Sequence, residues 1–113
     1  MKFYFLNTCY ACPEQYDVYR ENGEICGYIR LRWGTITAEY PNIDGKCIYE
    51  HCFNDDFKGN FEDEAERSEY LGEIAVKYQQ VVLGDIHSNL HDNDASYEIL
   101  TDPSELEEML RYV

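Results

Sequence analysis

Hydrophobic and polar residues alternate over most of the first half of the chain, and turn-forming residues separate the alternating runs. A period of two predicts β-strands that are buried on one face. The pair Asn22-Gly23 favours a two-residue hairpin turn, because both positions of that turn need a positive φ. We therefore predict an antiparallel meander of four or five strands. The runs that form it are Lys2–Leu6, Tyr16–Glu21, Glu24–Trp33, Thr35–Tyr40 and Lys46–Phe53.

The hydrophobic spacing changes to a helical period after residue 60, which predicts one long helix over Phe61–Val82. Its buried stripe comprises Leu71, Ile74, Ala75, Tyr78, Val81 and Val82. A short strand is predicted at Ser96–Leu100. A closing helix is predicted from Pro103, because Asp102 and Glu105 have the spacing of a capping box.

These elements predict an α+β fold, in which the meander packs against the long helix and a short helix ends the chain. A length of 113 residues is typical of a single domain spanning 1–113, and a hydrophobic content of 44% is enough for one core. We expect one core to contain Ile25, Ile29, Leu31, Trp33, Leu71, Ile74 and Tyr78.

Negative charge is concentrated in the second half of the chain. Residues 50–73 contain nine acids and two bases, and residues 85–108 contain eight acids and no Lys or Arg, whereas residues 1–49 are nearly balanced. The net charge of −14 repels nucleic acids and anionic membranes, and it attracts basic protein surfaces.

The acids of the long helix follow its helical repeat. Glu62, Glu66, Glu69 and Glu73 are spaced i, i+4, i+7 and i+11, so they are predicted to form one exposed stripe. Neighbouring acids in such a stripe lie ~5–6 Å apart, a spacing of the same order as that of phosphates along a nucleic-acid strand. The alternative is a solvated acidic face that only aids solubility. The candidate partner-binding residues are Glu62, Asp63, Glu66, Glu69, Tyr70, Glu73, Asp92, Asp94, Glu98, Glu105 and Glu108.

The five cysteines suggest a weaker alternative, a zinc site. Cys9-x-x-Cys12 has the spacing of a chelating pair, and on a continuous strand Cys47 and His51 would share a face. Cys52 would face the other way, so the second half of the ligand set is poor, and we expect no metal or other cofactor. An odd cysteine count and the absence of a signal peptide or membrane-spanning segment favour a cytoplasmic protein.

The segments CPEQYDVY at 12–19, NGE at 22–24 and GYIRLRWG at 27–34 resemble a segment of short, uncharacterised acidic proteins found in gut-type Firmicutes, their phages and mobile elements. The resemblance covers about the first third of the chain and implies no activity or functional residue. It does imply an origin in a phage or mobile element.

The charge and the resemblance together predict a non-enzymatic binding protein. Its expected partner is the basic surface of a host nucleic-acid-binding nuclease, such as a CRISPR effector or a restriction enzyme, which the protein would inhibit by mimicking nucleic acid. The alternative function is a small non-enzymatic protein-interaction or regulatory module, with or without a stabilising zinc ion. No nucleophile elbow, phosphate-binding glycine loop or zinc-protease motif occurs, so we expect no enzymatic activity.

Overall fold

The computed structural model describes residues 1–9, 13–84 and 95–111. These residues form six strands and two helices. In chain order they are β1 (Lys2–Cys9), β2 (Glu14–Arg20), β3 (Ile25–Arg32), β4 (Thr35–Tyr40), β5 (Lys46–Cys52), α1 (Glu64–Gly84), β6 (Ser96–Leu100) and α2 (Pro103–Leu110).

All six strands belong to one mixed sheet in the order β5-β4-β3-β2-β1-β6. The first five strands form the predicted antiparallel meander, and β6 pairs in parallel with β1. The α+β prediction is confirmed, but the sheet is larger than the predicted four or five strands. The difference is β6, whose place beside β1 depends on a long-range pairing that sequence periodicity does not report.

Helix α1 connects the two edges of the sheet, from β5 to β6. Five inter-strand spacings of ~4.8 Å make the sheet about 24 Å wide, and a helix of 21 residues is about 31 Å long. A long helix can therefore cross one face completely. It begins at Glu64 and ends at Gly84, slightly later at both ends than predicted.

The core lies between α1 and the sheet face that it covers. The buried residues of α1 are Leu71, Ile74, Ala75, Tyr78, Gln79 and Val82. They pack against aromatic and aliphatic residues of the strands, including Phe3, Phe5, Val18, Ile29, Leu31 and Ile36. Most of the predicted core is thereby confirmed, but the predictions for Ile25 and Trp33 are wrong, since their side chains are 48% and 67% exposed.

Two turns explain these errors. At the first hairpin, the Gly23 N–H donates to Arg20 O at 2.9 Å, and Gly23 has a φ of 88° whereas Asn22 does not have a positive φ. The connection is thus a three-residue loop, not the predicted two-residue turn. A register shift then pairs Tyr19 with Ile25 and Val18 with Gly27, which places Ile25 outside the core.

The two-residue turn occurs instead at Trp33-Gly34, between Arg32 and Thr35, which pair directly. Trp33 has a φ of 53° and Gly34 a φ of 75°. These values are typical of the type I′ turn that the twist of a hairpin favours. Trp33 is therefore a turn residue and not the last inward-facing residue of β3.

Among the described residues, helix α2 covers the second face of the sheet, near β6. Glu98 and Leu100 share a hollow with Glu105, Glu108 and Met109, so α2 lies against this side of β6. Tyr97 and Ile99 point the other way and pack against the core. The two helices consequently lie on opposite faces of the sheet.

Candidate binding surfaces

Acidic side chains at the start of α1 cap the helix. Asp63 Oδ1 accepts from the Glu66 N–H at 2.8 Å, and Glu66 Oε1 accepts from the Glu62 N–H at 3.0 Å. Because the first four N–H groups of a helix have no intrahelical acceptors, both carboxylates stabilise this helix terminus. Asp63 and Glu66 therefore have a structural role in addition to any role in binding.

Glu66 is also neutralised by a base. Lys58 Nζ lies 2.7 Å from Glu66 Oε1, and the two side chains are 13% and 22% exposed. Burial raises the pKa of Glu66, but the hydrogen bonds from Lys58 and the Glu62 N–H outweigh burial and hold its pKa below the usual range. Within the predicted stripe, Glu66 is the member least available to a partner.

The remaining members of the stripe are exposed. The side chains of Glu62 and Glu69 make no ion pair or hydrogen bond with any residue that the structure describes, and Glu73 accepts from the Tyr49 hydroxyl at 2.6 Å. Burial, followed by that hydrogen bond and charge, raises the pKa of Tyr49. Exposed carboxylates thus remain at Glu69 in α1 and at Glu62, which lies just before the helix and not within it as predicted, and Glu73 is bonded to one hydroxyl.

Tyr70 does not extend from the stripe as a free anchor. Its ring lies 4.9 Å from each of His51 and Phe53, and 6.1 Å from Phe61. Its hydroxyl is 3.3 Å from His51 Nε2. Tyr70 therefore belongs to an aromatic cluster that fixes the N-terminal half of α1 on β5.

A buried ion pair holds the same end of α1 against β2. The Glu14 side chain is fully buried, and Arg67 donates to it through Nε at 2.9 Å and Nη2 at 3.2 Å. The Phe61 N–H, at 3.2 Å, and the Tyr16 hydroxyl also donate to this carboxylate. The hydrogen bond to Glu14 is the main cause of the raised pKa of Arg67.

Sequence reasoning missed this pair, although Glu14 begins a strand at an inward-facing position of the alternation. Arg67 also contacts Glu64, and its side chain is only 16% exposed. Together with Lys58, it accounts for both bases of residues 50–73. Since both are held in ion pairs, the outer surface of this region presents acids.

The second acidic block lies at the opposite edge of the sheet. Glu98 is paired with Lys2 at 3.2 Å, and Asp102 caps α2 by accepting from the Ser104 N–H at 2.9 Å, as predicted. Glu105 accepts from the Thr101 hydroxyl at 3.0 Å. Glu107 and Glu108 are exposed. The predicted residues Asp92 and Asp94 lie outside the described residues.

The cysteines do not converge with His51 among the described residues. A register shift between β4 and β5 places Cys47 opposite Glu39 and His51 opposite Ile36, so the two no longer share a face, contrary to the prediction. Cys47 donates to Tyr49 O at 3.3 Å, and Cys52 accepts from the Thr35 hydroxyl at 3.5 Å.

Within residues 1–9, 13–84 and 95–111, no group of three or more His, Cys, Asp and Glu side chains is placed to hold a metal ion. Cys9 is half-buried, and Cys12 lies outside the described residues. Cys26 is buried in the core, and burial raises the pKa of its thiol to about 12. This thiol is therefore protonated and unreactive near neutral pH.

An exposed aromatic pair lies at the end of the sheet where α1 begins. Antiparallel connectivity brings the β1–β2 loop, the β3–β4 turn and the chain leaving β5 to this end. Here Trp33 and Phe57, 67% and 84% exposed, line a hollow of about 240 Å³ with Pro13, Arg32 and Gly59. The hydrophobic periodicity assigned Trp33 to the core and gave no role to Phe57, so it did not predict this surface.

Comparison of the chain with protein-family models, curated proteins and solved structures found no match. Among the helices of the described ranges, none is both long and apolar enough to cross a bilayer. The interpretation of these surfaces consequently depends on their geometry and charge.

Proposed function

We propose that this protein binds a basic protein surface through the exposed acids at the N-terminal half of α1. The observation that carries the proposal is that the two bases nearest the start of α1, Lys58 and Arg67, are held in ion pairs with Glu66 and Glu14. With these bases held, exposed carboxylates dominate this face. Lys and Arg of a partner would meet them in charge-assisted pairs.

In its most specific form, the proposal is that the protein originates from a phage or mobile element and inhibits a host nuclease, such as a CRISPR effector or a restriction enzyme. The acids would occupy the basic channel that otherwise holds nucleic acid. Glu69 and Glu73 are one helical turn apart, ~5–6 Å, which is of the same order as the ~3.4 Å rise per phosphate along one strand. Support comes from this spacing, the net charge of −14 and the sequence resemblance.

The fold separates the two acidic blocks that the sequence contains. The α1 acids lie near β5, and Glu105 and Glu108 lie beside β6, about 24 Å away across the sheet and on its other face. One flat partner surface cannot contact both blocks. We therefore assign the primary contact to Glu62, Glu69 and Glu73, and a subsidiary role to α2.

The test is affinity capture from host lysate with the wild-type protein and a double charge reversal, Glu62→Lys with Glu69→Lys. Neither residue has an ion-pair partner in the described part of the chain, so the reversal leaves the caps of α1 and the Glu14–Arg67 pair intact. The matched control reverses Glu24 and Asp44, two exposed acids in connections at the other end of the sheet. It makes the same change in net charge.

We expect mass spectrometry to identify a basic, nucleic-acid-handling protein. The wild type and the control should capture it, and the Glu62→Lys, Glu69→Lys variant should not. Equal capture by the α1 reversal and the control would contradict the proposal.

The alternative function is a small non-enzymatic interaction or regulatory module whose acidity only maintains solubility. In that case, capture would depend weakly on salt, because screening affects exposed charge pairs most.

A further inference from the structure

Four large hydrophobic side chains of the described residues are exposed, and the two aromatic ones lie together. Ile25 and Ile43 are 48% and 55% exposed and lie at the far end of the sheet, whereas Trp33 and Phe57 border one hollow. Single exposed hydrophobic residues need no explanation, but clustered aromatic residues around a hollow are typical of contact surfaces. We call Trp33, Phe57 and Pro13 the aromatic patch.

The backbone beneath the patch is well fixed. The Gly34 N–H donates to Lys58 O at 2.8 Å, and the Phe53 N–H donates to Gly34 O at 2.7 Å. The Phe57 N–H donates to Asp55 Oδ1 at 3.0 Å. These bonds tie the loop that carries Phe57 to the turn that carries Trp33, so the backbone positions of both residues are fixed relative to each other before any partner binds.

The identity of residue 33 is unfavourable for the turn itself. A φ of 53° is uncommon for a bulky side chain, and the first position of a type I′ turn favours Asn, Asp or Gly. Burial of the indole offsets little of this conformational cost, since Trp33 is 67% exposed. The fold therefore provides no reason for tryptophan at this position, whereas a contact surface would, because tryptophan is enriched among the residues that dominate binding energies.

Acidic groups border the patch on the side of α1. A second hollow, of about 610 Å³, shares Phe57 and Gly59 with the first and is also lined by Asp55 and Glu62. The nearby bases are Lys58, which is held by Glu66, and Arg32, whose guanidinium lies 5.7 Å from the Trp33 ring. An apolar centre thus adjoins an acidic border that continues into the α1 stripe.

We propose that the aromatic patch anchors the same basic partner that the acidic surface binds, by accepting an aliphatic side chain from a Lys- and Arg-rich segment. The aliphatic group fills the hollow between Trp33, Phe57 and Pro13. The flanking cations contact Asp55 and Glu62. This arrangement follows the usual anatomy of interfaces, an apolar centre inside a polar rim, and it rests on the proposed function.

The probe is a pair of labelled synthetic peptides, acetyl-Lys-Arg-Lys-Leu-Lys-Arg-Lys-amide and the same peptide with Ser in place of Leu. Binding is measured by fluorescence anisotropy at low salt and at two higher salt concentrations. We expect the Leu peptide to bind about 10-fold more tightly than the Ser peptide. Trp33 is the only tryptophan, so its emission should shift to shorter wavelength only with the Leu peptide.

Two variants test the anchor without disturbing the fold. Trp33→Asn removes the ring and suits the turn better, because Asn tolerates a positive φ and Asn-Gly favours type I′. Phe57→Ser removes the second ring from an exposed position. Both should abolish the difference between the peptides, and Ile43→Ser, a matched exposed control, should leave the difference unchanged.

The outcomes separate this inference from the proposed function. Salt-dependent binding of both peptides with equal affinity, or a difference that survives Trp33→Asn and Phe57→Ser, would overturn the aromatic anchor and leave the charge-based function standing. Failure of both peptides to bind at low salt would overturn the charge-based function, and the anchor with it.

Discussion

Replacing Gly27 by alanine should destabilise the protein strongly, because α1 packs against the backbone of β3 at this glycine. A Cβ at residue 27 would lie 2.5 Å from Tyr78 Cζ and closer still to the Tyr78 hydroxyl oxygen. That hydroxyl accepts from the Tyr28 N–H at 3.1 Å and donates to Glu39 O at 2.8 Å. The ring cannot move away without breaking these bonds.

The magnitude follows from two contributions. Overpacking a core costs about 1–3 kcal/mol, and two displaced hydrogen bonds cost about 0.5–1.5 kcal/mol each. The expected loss for Gly27→Ala is therefore about 2–6 kcal/mol, a large part of the ~5–15 kcal/mol that stabilises an ordinary domain. The free energy of unfolding is measured by urea denaturation monitored by circular dichroism.

The matched control is Gly72→Ala in α1, where no atom other than the neighbouring residues and the helix's own backbone lies within 4 Å of the added Cβ. It should stabilise the protein by up to ~1 kcal/mol, because alanine favours helix interiors over glycine. The same chemical change thus has opposite signs at the two sites. Gly27 does not have a positive φ, so strain in the backbone does not explain the difference.

A double-mutant cycle assigns the effect to Tyr78. With Tyr78→Leu the ring is gone, and Gly27→Ala should become neutral or stabilising. Equal stability of Gly27→Ala and Gly72→Ala, or a coupling energy between positions 27 and 78 within ~0.5 kcal/mol of zero, would rule out the clash with Tyr78.

Arg67→Met should lower the free energy of unfolding by about 3–5 kcal/mol, because it leaves the buried Glu14 carboxylate without a cation. Adding Glu14→Gln should recover part of this loss. Urea denaturation measures both variants, and an unchanged midpoint for Arg67→Met would contradict the buried ion pair. Stability should fall as pH rises above about 9, because the Cys26 thiol ionises near 9.0 when unfolded and only near 12 when folded. Denaturation at pH 8 and 10.5 tests this, and Cys26→Ala should reduce the loss. Acrylamide should quench native Trp33 almost as well as unfolded Trp33; a protected native indole would place residue 33 in the core after all.

Much of the fold could be predicted from short-range patterns. Alternation identified the strands, and the 3.6-residue period identified α1, because each pattern reports which face of one element is buried. The turns were harder to predict. The favourable pair Asn22-Gly23 forms a three-residue loop, whereas Trp33-Gly34, which is unfavourable by composition, forms the two-residue turn. A register shift in one pairing then reversed the prediction for Ile25.

The candidate surface was predictable only in part, because the availability of a charge depends on contacts between distant residues. Helical spacing predicted that Glu62, Glu66 and Glu69 share one side of the long helix, but Glu62 precedes α1, and the spacing could not show that Lys58 pairs with Glu66. Glu14 and Arg67 are 53 positions apart in sequence, so nothing local indicates their pairing. The opposite positions of α1 and α2 likewise follow from the pairing of β6 with β1.

Competition for the captured partner is the decisive test of the proposed mimicry of nucleic acid. The partner's affinity for labelled nucleic acid is titrated in the presence of increasing amounts of this protein, at low and at near-physiological salt. If the protein occupies the nucleic-acid site, nucleic acid should be displaced completely, no ternary complex should form, and displacement should weaken steeply as salt rises. Simultaneous binding of nucleic acid and this protein to the partner, at any salt concentration, would contradict it.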